Sequence, residues 1–252
     1  MISDPQLVRE LLHTAPMPPV PQASALGIAW LRAHVPRFCD GPAHRHRRAA
    51  VQRELDHLDP AALRASAAAR AGQPLAHVRV LLNALGLPED AAGTVATIAA
   101  AYQPHEPITP AADTAVAGLV ALCRATPSSL RAGSRVDVGD RAADHLPEGR
   151  GLGDEEEWVA ARICLLVQAC AATGELITAA RKSAEGTPGD RPARVMATTP
   201  PLRSTRRLVD GAVIELDLRL PGLGFGAGPH RCPGGDHALA IASGVLDSQR
   251  SR

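Results

Sequence analysis

Aromatic residues are nearly missing from this chain. Two Trp, one Tyr and two Phe make up 2% of 252 residues. A core must therefore be assembled from Ala, Leu and Val, and there are few flat rings on which nucleic-acid bases could stack. Strong charge of either sign is absent too: the net charge is +1, which gives no bulk attraction for a polyanion. We therefore expect no nucleic-acid partner. Paired cysteines are lacking. The five cysteines, Cys39, Cys123, Cys164, Cys170 and Cys232, are odd in number and form no CxxC pair, so a disulfide framework is not expected and a reducing, cytoplasmic setting fits. The N-terminus, MISDPQLVRELL, has no basic segment leading into an apolar run, and no signal peptide is read there. The longest apolar stretch, near 158–172, is interrupted by Arg162 and Gln168 and reads as too short to span a bilayer. No membrane partner is expected. With 45% hydrophobic residues, the length suffices for one large packed domain covering 1–252.

What the chain does have is concentrated near its C-terminus. The segment GFGAGPHRCPGG, Gly224 to Gly235, places one cysteine in a loop too rich in glycine for a helix or an ordinary strand. Gly226, Gly228 and Gly234 permit positive φ and close backbone approach, so that backbone N–H groups can point at the sulfur and tune it. The alanine-rich run from Asp236 reads as a helix beginning just after the cysteine, and its N-terminal dipole favours an anion there. Phe225 supplies an apolar cover. These features suit a single thiolate held against a large flat metal cofactor, where thiolate ligation pushes electron density towards the metal. A zinc site from His230, Cys232, Asp236 and His237 is the alternative, but no second Cys/His cluster with finger-like spacing completes it.

The pattern Phe225-Gly226-x-Gly228-x-His230-x-Cys232-x-Gly234 resembles the haem-binding loop of cytochrome P450, the haem-thiolate monooxygenases. Three further segments are similar to the same family. His44 and Arg48 share one face of a predicted helix and resemble the His-x-x-x-Arg pair that meets a haem propionate. Without the cysteine loop they would read as a solvated basic face. Ala169-Cys170-Ala171-Ala172-Thr173-Gly174 resembles the oxygen-activation segment of the long helix, with Thr173 at the threonine and Ala172 where an acid usually stands. Thr173 reads equally well as a core threonine bonded to a carbonyl one turn back. Arg207, after Thr205, resembles the Thr-x-Arg arginine of the propionate site, or else an arginine on an edge strand.

The resemblance implies a mainly α, abbreviated cytochrome P450-like fold with a small β component. It implies haem b with Cys232 as axial ligand and His44, Arg48, Arg207, Phe225, Gly226, His230 and Gly234 around the cofactor. Thr173 would be the catalytic hydroxyl on the distal side. The implied activity is monooxygenase-type oxidation of a small organic substrate with O2 and electrons from a ferredoxin-type donor, for which Arg203, Arg206 and Arg231 would offer a basic patch. The chain departs from the family at two places. The Glu-x-x-Arg pair expected before Pro200-Pro201 is replaced by Arg194 and Ala197. The long meander before the cysteine loop is reduced to Arg219–Leu223. The second reading is therefore a non-catalytic relative that acts through protein contacts.

Along the rest of the chain, helices are expected over Asp4–Leu12 (capped by Ser3), Ser24–His34, from Ala43 onward, within 59–83, Ala91–Tyr102, Pro110–Arg124 and Asp154–Lys182. Short strands are expected at Leu202–Leu208 and Val213–Leu218 around an Asp210-Gly211 turn. Residues 126–153 read as a flexible connection.

Overall fold

The computed structural model describes residues 1–126 and 152–248. The connection read over 126–153 lies almost wholly outside them. Ten α-helices are described: α1 (Pro5–Thr14), α2 (Ile28–His34), α3 (Gly41–Leu55), α4 (Pro60–Arg70), α5 (Ala76–Ala84), α6 (Ala92–Ala101), α7 (Pro110–Ala125), α8 (Leu152–Lys182), α9 (Arg191–Thr198) and α10 (Gly235–Asp247). Strands β1 (Ser204–Val209) and β2 (Ala212–Asp217) form an antiparallel hairpin with Val209 opposite Ala212. Asp210 and Gly211 both take positive φ, 49° and 77°, which lets the two-residue turn follow the twist of its strands.

Helix starts follow a repeated local rule. Asp4-Pro5, Asp59-Pro60 and Thr109-Pro110 each put an accepting side chain at the cap and a proline in the first turn. The side chain satisfies a free backbone N–H, while proline loses nothing there. The cap of α1 is Asp4, whose carboxylate accepts from Leu7 N at 2.8 Å, rather than the expected Ser3. Ser3 instead lies 3.5 Å from Asp217. The second helix begins at Ile28, later than expected, after a Pro-rich approach whose end is held by Asp113 accepting from Ile28 N.

The centre of the molecule is α8. It packs against α2, α3, α5, α6, α7, α9 and α10. From Glu155 to Lys182 it is long and apolar enough to cross a membrane by length and composition, so the sequence understated the run by stopping it at Arg162 and Gln168. Arg162 is accommodated inside the protein, 2% exposed, beside Glu54 at 3.4 Å. The core is aliphatic, as the composition requires, with Trp30, Phe38 and Tyr102 as its buried rings. A smaller cluster of Val8, Leu12, Leu216, Leu218 and Leu223 joins α1 to β2 and to the cysteine loop. Ile2 extends this edge by bonding Glu215 O and Asp217 N.

Helix α10 lies against α4. Gly244 permits the crossing, because a Cβ there would collide with the Arg64 carbonyl and the Ala67 side chain. Helix α9 occupies the place before the double proline, without the Glu-x-x-Arg pair. Arg194 instead meets Glu185 at 3.3 Å, with both side chains exposed. The shortened connection to the loop closes in two successive tight turns, Leu223 N to Leu220 O and Gly226 N to Leu223 O.

Candidate functional site

The cysteine loop runs from the end of β2 into α10. Gly226 and Gly228 have φ of 71° and 68°, the left-handed region that the sequence led us to expect of them. Cys232 N donates to Phe225 O at 2.8 Å, which folds the loop back on itself and sets the sulfur at its tip. Two neighbours press on the backbone. A Cβ at Gly228 would lie 2.5 Å from Leu12 O, and one at Gly224 would lie 2.7 Å from Met196 O. Helices α1 and α9 therefore brace the loop directly. The Phe225 ring lies where a Cβ of Gly235 would touch it at 3.5 Å, and Gly234 caps α10 beside Leu55.

Cys232 is open to solvent. Crowding by protein atoms pushes its thiol pKa up, while an N–H of Gly234 and the charges of Arg48, Arg231 and Arg37 pull it down. The N–H and the guanidinium groups moderate this rise without reversing it.

Around the cysteine loop the structure gathers four residues that the sequence pointed to. His44 and His230 meet with ring centroids 4.1 Å apart and the rings tilted by 47°, and His230 Nε2 lies 3.0 Å from Asp40 Oδ1. Arg48, one turn beyond His44 on α3, feels the charge of Cys232. Arg207 on β1 is 2% exposed, bonds Thr205 Oγ1 and Arg206 O through Nη1, and acts on His230. Burial, then the charges of His230 and Arg48, lower the His44 pKa to about 4. Burial likewise lowers His230, Arg48 and Arg207. Three buried donors here have no partner: His44 Nε2, Arg207 Nε and Arg37 Nε. Buried groups of this kind are costly unless something answers them. A ligand bearing two carboxylates at this edge fits them.

Arg37 was missed by the sequence reading. It stands in a single turn of 3-10 helix, Pro36–Phe38, outside every recognised spacing, and no periodic signal could have found it.

Thr173 is not brought to the loop. It is 2% exposed in the core. Cys164, the residue of α8 whose charge couples to Cys232 and Arg48, is nine residues earlier. That is two and a half turns, which puts Thr173 on the opposite face. The face carrying Cys164 carries Gln168, whose Nε2 lies 2.6 Å from Cys164 Sγ, and continues into exposed Ala171, Ala172 and Glu175. The hydroxyl expected on the distal side is thus a core threonine.

The zinc alternative does not survive the geometry. His237 Nε2 sits 3.1 Å from Leu55 O and 3.0 Å from Leu58 O, and His230 is engaged by Asp40. Among the described residues no three His, Cys, Asp or Glu side chains gather as a metal site. His46 meets Glu157 at 2.6 Å. Of the basic patch, Arg206 pairs with Glu215 at 3.5 Å, and Arg203 and Arg231 are exposed. A cleft of about 1380 Å³ borders α8, lined by His77, Cys170, Ala171, Gly174, Glu175 and Arg203 among others. It takes in part of the Ala169–Gly174 segment and Arg203 of the basic patch, but not Cys232, His44, Arg48, Arg207, His230 or Thr173.

No family model matches the chain, and no curated protein matches it. Solved structures do. CYP164A2 of Mycobacterium smegmatis, in a ligand-free state, superposes with a TM-score of 0.62 at 19% identity, over 97% of this chain and 81% of that one. P450BioI, in complex with an acyl carrier protein ligated to hexadec-9Z-enoic acid, gives 0.64 at 14% identity over 97% and 82%. CYP109E1 of Bacillus megaterium, in complex with testosterone, gives 0.60 at 16% identity over 97% and 82%. The chain has an abbreviated cytochrome P450 fold.

Proposed function

We propose that the protein is a cytoplasmic, single-domain haem-thiolate oxidoreductase that inserts one oxygen atom from O2 into a small organic substrate. The observation that carries this reading is the grouping of buried, partnerless donors on His44 and Arg207 beside the solvent-open Cys232. Haem b, when bound, would supply dioxygen chemistry tuned by a thiolate ligand. Everything else falls to the chain. Cys232 would provide the thiolate, its backbone held by the N–H bond to Phe225 O, with the Gly234 N–H and the nearby guanidinium groups opposing the rise in thiol pKa that burial causes. Arg48 and Arg207, with His44 and His230, answer the two propionates through charge-assisted hydrogen bonds. Phe225 packs its ring against Gly235 at the start of α10, and Gly226 and Gly234 would let the backbone approach the cofactor.

On the opposite side, α8 presents Gln168, Ala171, Ala172 and Glu175. With Thr173 in the core and alanine at both 171 and 172, no side-chain hydroxyl stands at that point of the helix. Protons would reach the substrate side through water, with Gln168 and Glu175 as the polar groups on that face. Electrons would come from a ferredoxin-type donor, for which exposed Arg203 and Arg231 form the basic contact. Such charges act mainly on association rate.

The ferrous–CO spectrum of the haem-loaded protein tests the reading. A strongly red-shifted Soret band is expected for the wild type, and its loss is expected in Cys232→Ala. Failure to retain haem would instead favour a non-catalytic relative that acts through protein contacts.

A further inference from the structure

The cleft beside α8 holds a titratable group that takes no part in the cysteine loop. His77 stands in the first turn of α5, on the wall of the cleft, 9% exposed. Three local features set its ring there. Leu75, just before the helix and also on the cleft wall, has a left-handed φ of 53°, a strained conformation of the kind that gathers at binding sites. Gly174 on α8 leaves room for the ring, since a Cβ there would lie 3.2 Å from His77 Nε2. Nε2 in turn lies 3.0 Å from Cys170 O. A carbonyl only accepts, so Nε2 carries the proton and Nδ1 presents a bare lone pair. Burial lowers the His77 pKa, which keeps the ring in this neutral form. Among the described residues Nδ1 has no partner, and it is not shut off from solvent. The space it opens on is the cleft.

The rest of the wall is part apolar and part cationic. Ala171, Ile177, Leu220 and Val245 give it apolar surface. Asp217 and Arg219 line it too, but they answer one another at 2.9 and 2.8 Å. Among the described residues Arg181, Lys182 and Arg203 enter no ion pair, and Glu175 is the unpaired acid against them. Positive charge is therefore in surplus. Arg181 is near enough for its charge to act on the His77 ring, so one small molecule can reach both. The volume, about 1380 Å³, is ample for it.

We propose that this cleft binds a hydroxylated carboxylic acid, whose hydroxyl donates to His77 Nδ1 and whose carboxylate meets Arg181 and Lys182. Ala171 and Glu175 also belong to the face assigned above to the substrate side, so naming this acid as the substrate rests on the haem reading. The binding does not, because none of its contacts involves Cys232 or the cofactor.

Isothermal titration calorimetry of the purified chain, with and without supplied haem, tests this with three flexible probes: 12-hydroxydodecanoate, dodecanoate and dodecane-1,12-diol. The hydroxy acid should bind about three- to tenfold more tightly than dodecanoate, the gain of one hydrogen bond. It should exceed the diol by about tenfold or more, the gain of a charge-assisted one. His77→Phe should erase the first preference and leave dodecanoate unchanged. Gly174→Ala, which crowds the ring yet suits a helix, should reduce the same preference with the fold intact by circular dichroism. Arg181→Gln combined with Lys182→Gln should weaken both acids and spare the diol. The proposal is overturned if the wild type binds none of the probes or all three alike, or if both the His77 and the Gly174 variants keep the full hydroxyl preference. Binding of the hydroxy acid by a chain that takes up no haem would sink the oxidase reading and leave this one standing.

Discussion

The two sides of the cysteine loop are braced in opposite ways. Towards α3 and α8 lies a buried network. Glu54 and Arg162, 5% and 2% exposed, meet at 3.4 Å. Trp158 Nε1 donates to Glu54 at 2.8 Å, and the Arg162 guanidinium lies 5.1 Å from the Trp158 ring. One residue on from Glu54, the carbonyl of Leu55 is met by His237 from the start of α10. Towards α9 the comparable pair among the described residues is Arg194 and Glu185, 55% and 75% exposed. Where the family places a buried Glu-x-x-Arg pair, this chain has steric contact: Gly224 against Met196 and Gly228 against Leu12. The difference teaches that a glycine-rich loop of this kind needs a rigid back but not one fixed device. Ion pairing holds one flank and close backbone packing holds the other.

The largest test of that contrast is on the buried side. Arg162→Met should cost about 3–5 kcal/mol, because it strands a buried carboxylate. Adding Glu54→Gln should recover much of the loss. Chemical denaturation of both variants reads this out. On the packed side, Gly228→Ala combines a left-handed backbone with a clash against Leu12, so a loss of roughly 2–4 kcal/mol is expected, visible as a lower Tm.

Acid should weaken the histidine pair at the junction of the two flanks. The His44 pKa is lowered to about 4 by burial and by its cationic neighbours, so the unfolded chain takes up this proton first. Stability then falls as pH drops from about 6.5 to about 4. His44→Gln should flatten that part of the pH profile in the protein without cofactor. The smallest effect belongs to the exposed pair. Arg194→Ala should change stability by about 0.5 kcal/mol or less, and a larger loss would mean that the α9 side is braced electrostatically after all.

The sequence disclosed the parts whose chemistry depends on spacing. The loop, the His44–Arg48 face and Arg207 were legible because each couples a rare residue type to a fixed interval. Most of the helices were legible from their caps and apolar periods, within a few residues at each end, but α9 over Arg191–Thr198 was not read as a helix. Thr173 was misplaced because α8 is apolar nearly all round, so its pattern does not mark which face is open. Arg37 was invisible because its role comes from Gln103, Cys164, Cys232 and Arg207, all far away in sequence. Glu54 and Arg162 were invisible for the same reason: two charged residues 108 positions apart carry no local sign that they meet inside a core.

The central claim is that the cationic edge and Cys232 together hold one haem per chain. Titration of the purified chain with haemin, followed by absorbance and by electron paramagnetic resonance of the ferric form, tests it most directly. The account predicts saturation at one equivalent with a thiolate-ligated signal, abolished by Cys232→Ala and weakened by Arg207→Met. Non-saturating uptake, or a signal indifferent to Cys232, would contradict it.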